Sequence, residues 1–86
     1  MTEKQALGRP VFVGFTEASR LFTTVKRMKY DREHAIPSSE RDTHAISVET
    51  GKSSREMTDE EADVWYLQLC AELLSKYPHL YQSIFG

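Results

Sequence analysis

The sequence predicts a small α+β domain that is mainly helical, with two main helices, a short C-terminal helix and a two-stranded sheet left open. Three observations carry this reading. Thr58-Asp59-Glu60-Glu61 forms a capping box ahead of a long apolar periodicity. An earlier apolar stripe recurs at spacings of three and four after Thr16. Two short β-branched stretches, near residues 11–15 and 44–50, alternate as strands do.

In chain order, residues 1–9 are polar, with Gly8 just before Arg9-Pro10, and read as a flexible arm ahead of a single domain over 10–86. Val11, Val13 and Phe15 fall on one side of an extended chain and predict a first strand. Thr16 then offers an N-cap. Ala18, Leu21, Phe22, Val25 and Met28 follow at helical spacing, predicting a helix that ends near Lys29 or Tyr30. From Asp31 to Asp42 the chain turns polar, and Ile36-Pro37 disfavours helix, so this is the longest expected loop. His44, Ile46, Val48 and Thr50 alternate with Ala45, Ser47 and Glu49, which fits a second strand, with a short helix as the alternative.

At Thr58 the hydroxyl and the Glu61 carboxylate can satisfy reciprocal backbone N–H groups and start the main helix. Ala62, Trp65, Tyr66, Leu69, Cys70, Leu73, Leu74 and Tyr77 continue it as a broad apolar face until Pro78. Pro78 suits the first position of a further short helix, with Leu80, Tyr81, Ile84 and Phe85 as its apolar side.

A chain of 86 residues with 40% hydrophobic and 28% charged residues fits one small globular domain. The net charge of −2 shows neither the basic excess of a typical nucleic-acid binder nor the acidic excess of a nucleic-acid mimic. Charge is nonetheless unevenly placed. Arg20 to Arg32 holds five bases and one acid, a net +4, whereas Arg55 to Glu72 holds one base and six acids, a net −5. The single cysteine, Cys70, permits no intrachain disulfide, which suits a reducing cytoplasm, and no apolar run has the length of a signal peptide or membrane span. The expected setting is cytoplasmic, without membrane contact.

Gly51-Lys52-Ser53 has the look of a phosphate-binding loop, but two geometric requirements fail. The first glycine of such a loop would stand at Ile46, and the helix should follow Ser53 directly instead of being capped at Thr58. Gly51 is therefore read as a turn and Lys52 as solvated. In context, Thr50-Gly51-Lys52-Ser53-Ser54 followed by Met57-Thr58-Asp59-Glu60-Glu61-Ala62 resembles a segment of the small regulatory proteins of the GemA-like family of phage Mu. The resemblance covers Ile46–Leu69. Upstream, Leu21-Phe22 through Lys26-Arg27-Met28 is similar to that family's first helix, while the Ile36-Pro37 loop departs from it. The resemblance implies host-directed regulation and supplies no catalytic residue.

His34, His44, His79 and Cys70 show no paired spacing of metal ligands, and neither a metal nor a cofactor is expected. Cys70 sits within the apolar stripe and reads as packing. Trp65, Tyr66 and Leu67 are consecutive, and helix geometry sends one of them outward. These three, with Tyr81, Phe85, Glu60 and Asp63, are the candidate protein-interface residues. Arg20, Lys26, Arg27, Lys29 and Arg32 are the candidate nucleic-acid contacts, with Tyr30 as an aromatic neighbour. No nucleophile stands paired with a base. The expected function is thus that of a non-enzymatic, phage-type accessory protein that binds a host or phage protein, as an inhibitor of a host system. The alternative is a DNA-associated accessory protein working through the basic helix. The oligomeric state is open, a homodimer included.

Overall fold

The computed structural model describes residues 10–12, 16–41 and 45–86. The expected arm over 1–9, the end of the first strand at 13–15, and His44 lie outside the described residues. Within them the chain is a small, compact, mainly helical domain with three helices: α1 (Glu17–Glu33), α2 (Asp59–Lys76) and α3 (Pro78–Phe85). A short extended segment, β1 (Pro10–Phe12), lies antiparallel to β2 (Ala45–Ser47), pairing Pro10 with Ser47, Val11 with Ile46 and Phe12 with Ala45. Three residues a side make a clasp and not a layer, so the helices carry the architecture.

Helix α1 starts where the cap predicts, the Thr16 hydroxyl accepting from the Ser19 amide at 3.3 Å. It runs to Glu33, one turn beyond the expected end at Lys29 or Tyr30. Composition misled there. Arg32 and Glu33 are exposed on the last turn and Asp31 is partly buried, and the turn is stabilised by the Lys29–Glu33 ion pair at 2.8 Å across one turn. The Tyr30 and His34 rings stack at 3.8 Å, and Ala35, with φ 53°, ends the helix. The loop that follows contains a 3-10 turn over Ser38–Glu40.

The second strand is shorter than its alternation predicts. Residues 48–50 form a turn, because Gly51 takes φ 72° and the chain folds back on itself. The Gly51 amide donates to the Ser47 carbonyl at 2.9 Å and the Ser47 amide to the Lys52 carbonyl at 3.0 Å, leaving Ile46 bridged to Ser53. Glycine adopts this left-handed conformation without the strain that a Cβ brings.

Helix α2 opens on the complete capping box: the Glu61 amide donates to the Thr58 hydroxyl at 3.1 Å and the Thr58 amide to the Glu61 carboxylate at 3.0 Å. Helix α3 follows with Pro78 in its first turn. Leu21, Val25 and Met28 of α1 pack against Ala62, Trp65, Tyr66, Leu69 and Leu73 of α2, with Ala45 and Met57 closing the core. From α3, Leu80, Tyr81 and Ile84 lie partly buried against it. No helix among the described residues is long and apolar enough to cross a membrane.

Lys52, expected to be solvated, is instead ion-paired. Its ammonium lies 3.3 Å from the carboxylate of Glu61, the residue that closes the capping box. The Gly51-Lys52 turn thereby braces the start of α2. Thr58→Ala removes the acceptor for the Glu61 amide and is expected to cost about 1 kcal/mol in thermal or urea unfolding. Lys52→Ala, which removes a half-exposed pair, is expected to change much less. The backbone bond from Thr58 and the Lys52 ammonium hold the Glu61 carboxyl below its usual value of 4.5. A carboxyl depressed in the folded state contributes stability that is full above its unfolded value and is lost as pH falls through the folded one. Glu61→Gln should therefore destabilise at neutral pH, with the difference from wild type closing as the pH drops below about 4.5; a difference independent of pH would contradict this.

Candidate protein-interface site

The structure divides the seven candidate interface residues. Trp65 is fully buried and Tyr66 nearly so, because both lie on the side of α2 that meets α1, and Trp65 is therefore core and not surface. Leu67 is the member of the triplet that faces outward, 64% exposed. Glu60 and Asp63 are exposed on the first turns of α2, Tyr81 is half-buried, and Phe85 is 37% exposed near the chain end.

The five candidate bases of α1 do not make one patch. At about 100° of rotation per residue, Arg20 and Arg27 lie on one flank of the buried stripe, Lys29 and Arg32 on the other, and Lys26 on the outer side. Arg32 is ion-paired with Asp63 and its guanidinium lies over the Tyr66 ring, 4.8 Å from the centroid. Lys29 is paired with Glu33 and its ammonium sits 5.9 Å from the Phe85 centroid. Lys26 sits over Phe22 at 5.3 Å. Phe85 in turn packs tilted on Tyr81, centroids 4.6 Å apart.

Two groups that the sequence kept apart thus meet. Lys29 and Arg32, from the basic set, join Asp63, Tyr66, Tyr81 and Phe85, from the interface set, where α1, α2 and α3 converge. Cations over aromatic faces hold each other's orientation, and the outer groups project from helices above the buried Tyr66 ring, so the surface is pre-ordered.

Beneath this surface Tyr66 and Cys70 lie one helical turn apart on α2, Tyr66 buried and Cys70 partly buried. Burial, followed by the neighbouring Cys70, pushes the Tyr66 phenol up to about 12. Burial likewise raises the Cys70 thiol, which keeps it protonated at neutral pH and a poor nucleophile. In an alkaline titration of tyrosinate absorbance, one of the four tyrosines should ionise late, near pH 12, and Tyr66→Phe should delete that step. Because the folded value lies above the ordinary one of 10, Tyr66 contributes stability that is present below pH 10 and is lost as pH rises through about 12.

Sequence reasoning missed Arg41. It lines a groove of about 580 Å³ between the end of α1, the loop after it and the start of α2. Its guanidinium donates to the carbonyls of Ser54 at 3.4 Å and Met57 at 3.3 Å, and pairs with Asp59. Nothing in the local sequence marks it, since its partners lie 13 to 18 positions away. Among the described residues, no three His, Cys, Asp or Glu side chains gather as a metal set would.

Comparison with protein-family models, with curated proteins and with solved structures finds no significant match.

Proposed function

We propose that the protein is a non-enzymatic binding module that acts by holding a protein partner on the surface where α1, α2 and α3 meet. The observation that carries this reading is the pair of cation–aromatic contacts, Arg32 over Tyr66 and Lys29 over Phe85, extended by Tyr81. Arginine and aromatic side chains are the groups that most often anchor protein interfaces, and here they are ordered before any partner arrives. The absence of a reading as an enzyme rests on chemistry: the one cysteine has its thiol raised by burial, and the side chain one helical turn before it is the Tyr66 phenol and not a general base. The resemblance of Ile46–Leu69 to GemA-like phage proteins supports a host or phage protein as the partner, met in the cytoplasm, and an inhibitory role towards a host system.

A pull-down from bacterial lysate tests the proposal with three baits: wild type, Arg32→Ala/Phe85→Ala, and Lys26→Glu/Arg27→Glu. A stoichiometric protein held by the first and third baits and lost by the second is the expected result. No partner, or one held equally by all three, would contradict it. The DNA-associated alternative has weaker geometric support, since Lys29 and Arg32 are engaged within the molecule and the remaining bases are spread around α1. It demands DNA binding that weakens steeply with salt and is lost on reversing Lys26 and Arg27.

A further inference from the structure

Four residues of α1, each four positions after the last, set rings and charge side by side: Phe22, Lys26, Tyr30 and His34. At about 100° per residue they cross the side of the helix opposite the buried Leu21, Thr24, Val25 and Met28. The Lys26 ammonium lies over the Phe22 ring, 5.3 Å from its centroid. Further along, the Tyr30 and His34 rings stack at 3.8 Å, and the His34 Nδ1 donates to the Tyr30 carbonyl at 2.9 Å, which fixes the imidazole. Tyr30 is nonetheless 53% exposed. Arg27 is exposed beside Lys26, and among the described residues neither cation makes an ion pair, unlike Lys29 and Arg32. No Asp or Glu occurs from Ala18 to Tyr30, and Glu33, just beyond, is held by Lys29.

We infer that this outer side of α1 binds single-stranded nucleic acid, with the Tyr30–His34 pair as the platform on which a base stacks and Lys26 and Arg27 as the groups that meet phosphate. Two unpaired cations are too few to hold a duplex by charge, because the electrostatic share of affinity grows with the number of phosphates neutralised, and a net charge of −2 adds no long-range attraction. Stacking supplies what charge does not. A base laid on an aromatic side chain raises affinity about fivefold or more, and only bases that are not already stacked within a duplex can do so. Both rings of the platform are ordered before a strand arrives, so little freedom is lost on binding. Ring faces and phosphates carry neither sequence nor sugar identity, so the ligand is a single strand of DNA or RNA without sequence preference. The site is separate from the surface given to a protein partner, which uses Lys29 and Arg32, and does not rest on that reading.

Fluorescence anisotropy of a labelled oligothymidylate of about 16 nucleotides, titrated with the full chain, tests the inference, with circular dichroism confirming that each variant is folded. Wild type should bind this strand at low salt, bind oligouridylate of the same length within about threefold, and bind the duplex with oligodeoxyadenylate at least about tenfold more weakly. Tyr30→Leu keeps an apolar side chain and removes the ring; it should lower affinity about fivefold or more while leaving the salt dependence as in wild type. Lys26→Gln/Arg27→Gln should instead flatten the slope of log affinity against log salt by about 1.4, the share of two phosphates on a single strand. Absence of binding to oligothymidylate at low salt would overturn the inference. Equal affinity for the duplex would overturn it too, since charge alone would then suffice, as would indifference to Tyr30→Leu.

Discussion

Trp65→Ala should leave the chain largely unfolded at physiological temperature. Trp65 is fully buried at the centre of the α1–α2 contact, surrounded by Leu21, Val25, Leu69 and Leu73, all equally inaccessible. Truncating a buried tryptophan costs about 3–5 kcal/mol, through lost transfer energy and the cavity left behind. Domains hold only about 0.05–0.15 kcal/mol per residue in total, so a chain of 86 residues has little beyond that to lose. The same residue predicts a milder variant. Its indole Nε1 is buried and meets no hydrogen-bond acceptor among the described residues. Trp65→Phe removes that donor while keeping a ring in the site, and should cost clearly less than the alanine change. Urea unfolding followed by circular dichroism checks both; a Trp65→Ala midpoint near that of wild type would contradict the packing described.

Arg41→Ala should cost about 2–3 kcal/mol, a large effect for a loop residue. The side chain is only 11% exposed, and one guanidinium serves the carbonyls of Ser54 and Met57 and the carboxylate of Asp59. Without it, two carbonyls next to the buried Ser54 and Met57 lose their donors, and the loop before α2 loses its tie to the loop after α1. Arg41→Lys should restore little, because a single ammonium cannot reach three acceptors in the fork geometry of a guanidinium. Hydrogen exchange offers the local readout: amides over residues 54–57 should exchange faster in Arg41→Ala while those of the α2 core change only with global stability. Unchanged protection there would contradict the role given to Arg41.

The sequence made some of this legible and hid the rest for physical reasons. The start of α2 was readable because a capping box is a local device: Thr58 and Glu61 act on backbone groups three residues away. The core stripes were readable because helical period is local too, and Leu21, Val25, Met28, Leu69 and Leu73 stand buried where that period puts them. The end of α1 is misplaced by composition because a polar run does not by itself mark a loop: Asp31 to Glu33 continue the helix, with Arg32 and Glu33 exposed and Asp31 partly buried. The strand at 44–50 was overextended because alternation says nothing about the reversal that Gly51 imposes. Lys52, Arg32 and Arg41 could not be placed from sequence at all. Their partners, Glu61, Asp63 and Asp59, are 9, 31 and 18 residues away; the fold-back of the Gly51-Lys52 turn brings the first pair together, and packing of α1 and the loop after it against α2 brings the other two.

The surface at which Lys29, Arg32, Tyr66, Tyr81 and Phe85 converge is the part of this account on which function depends. The most direct measurement is the affinity of the isolated partner from the lysate capture for wild type and for Arg32→Ala/Phe85→Ala, each verified as folded. The account predicts that the double variant binds at least about thirtyfold more weakly, as expected when two anchors each contribute above 1 kcal/mol. Equal affinity of the two proteins for that partner would contradict it.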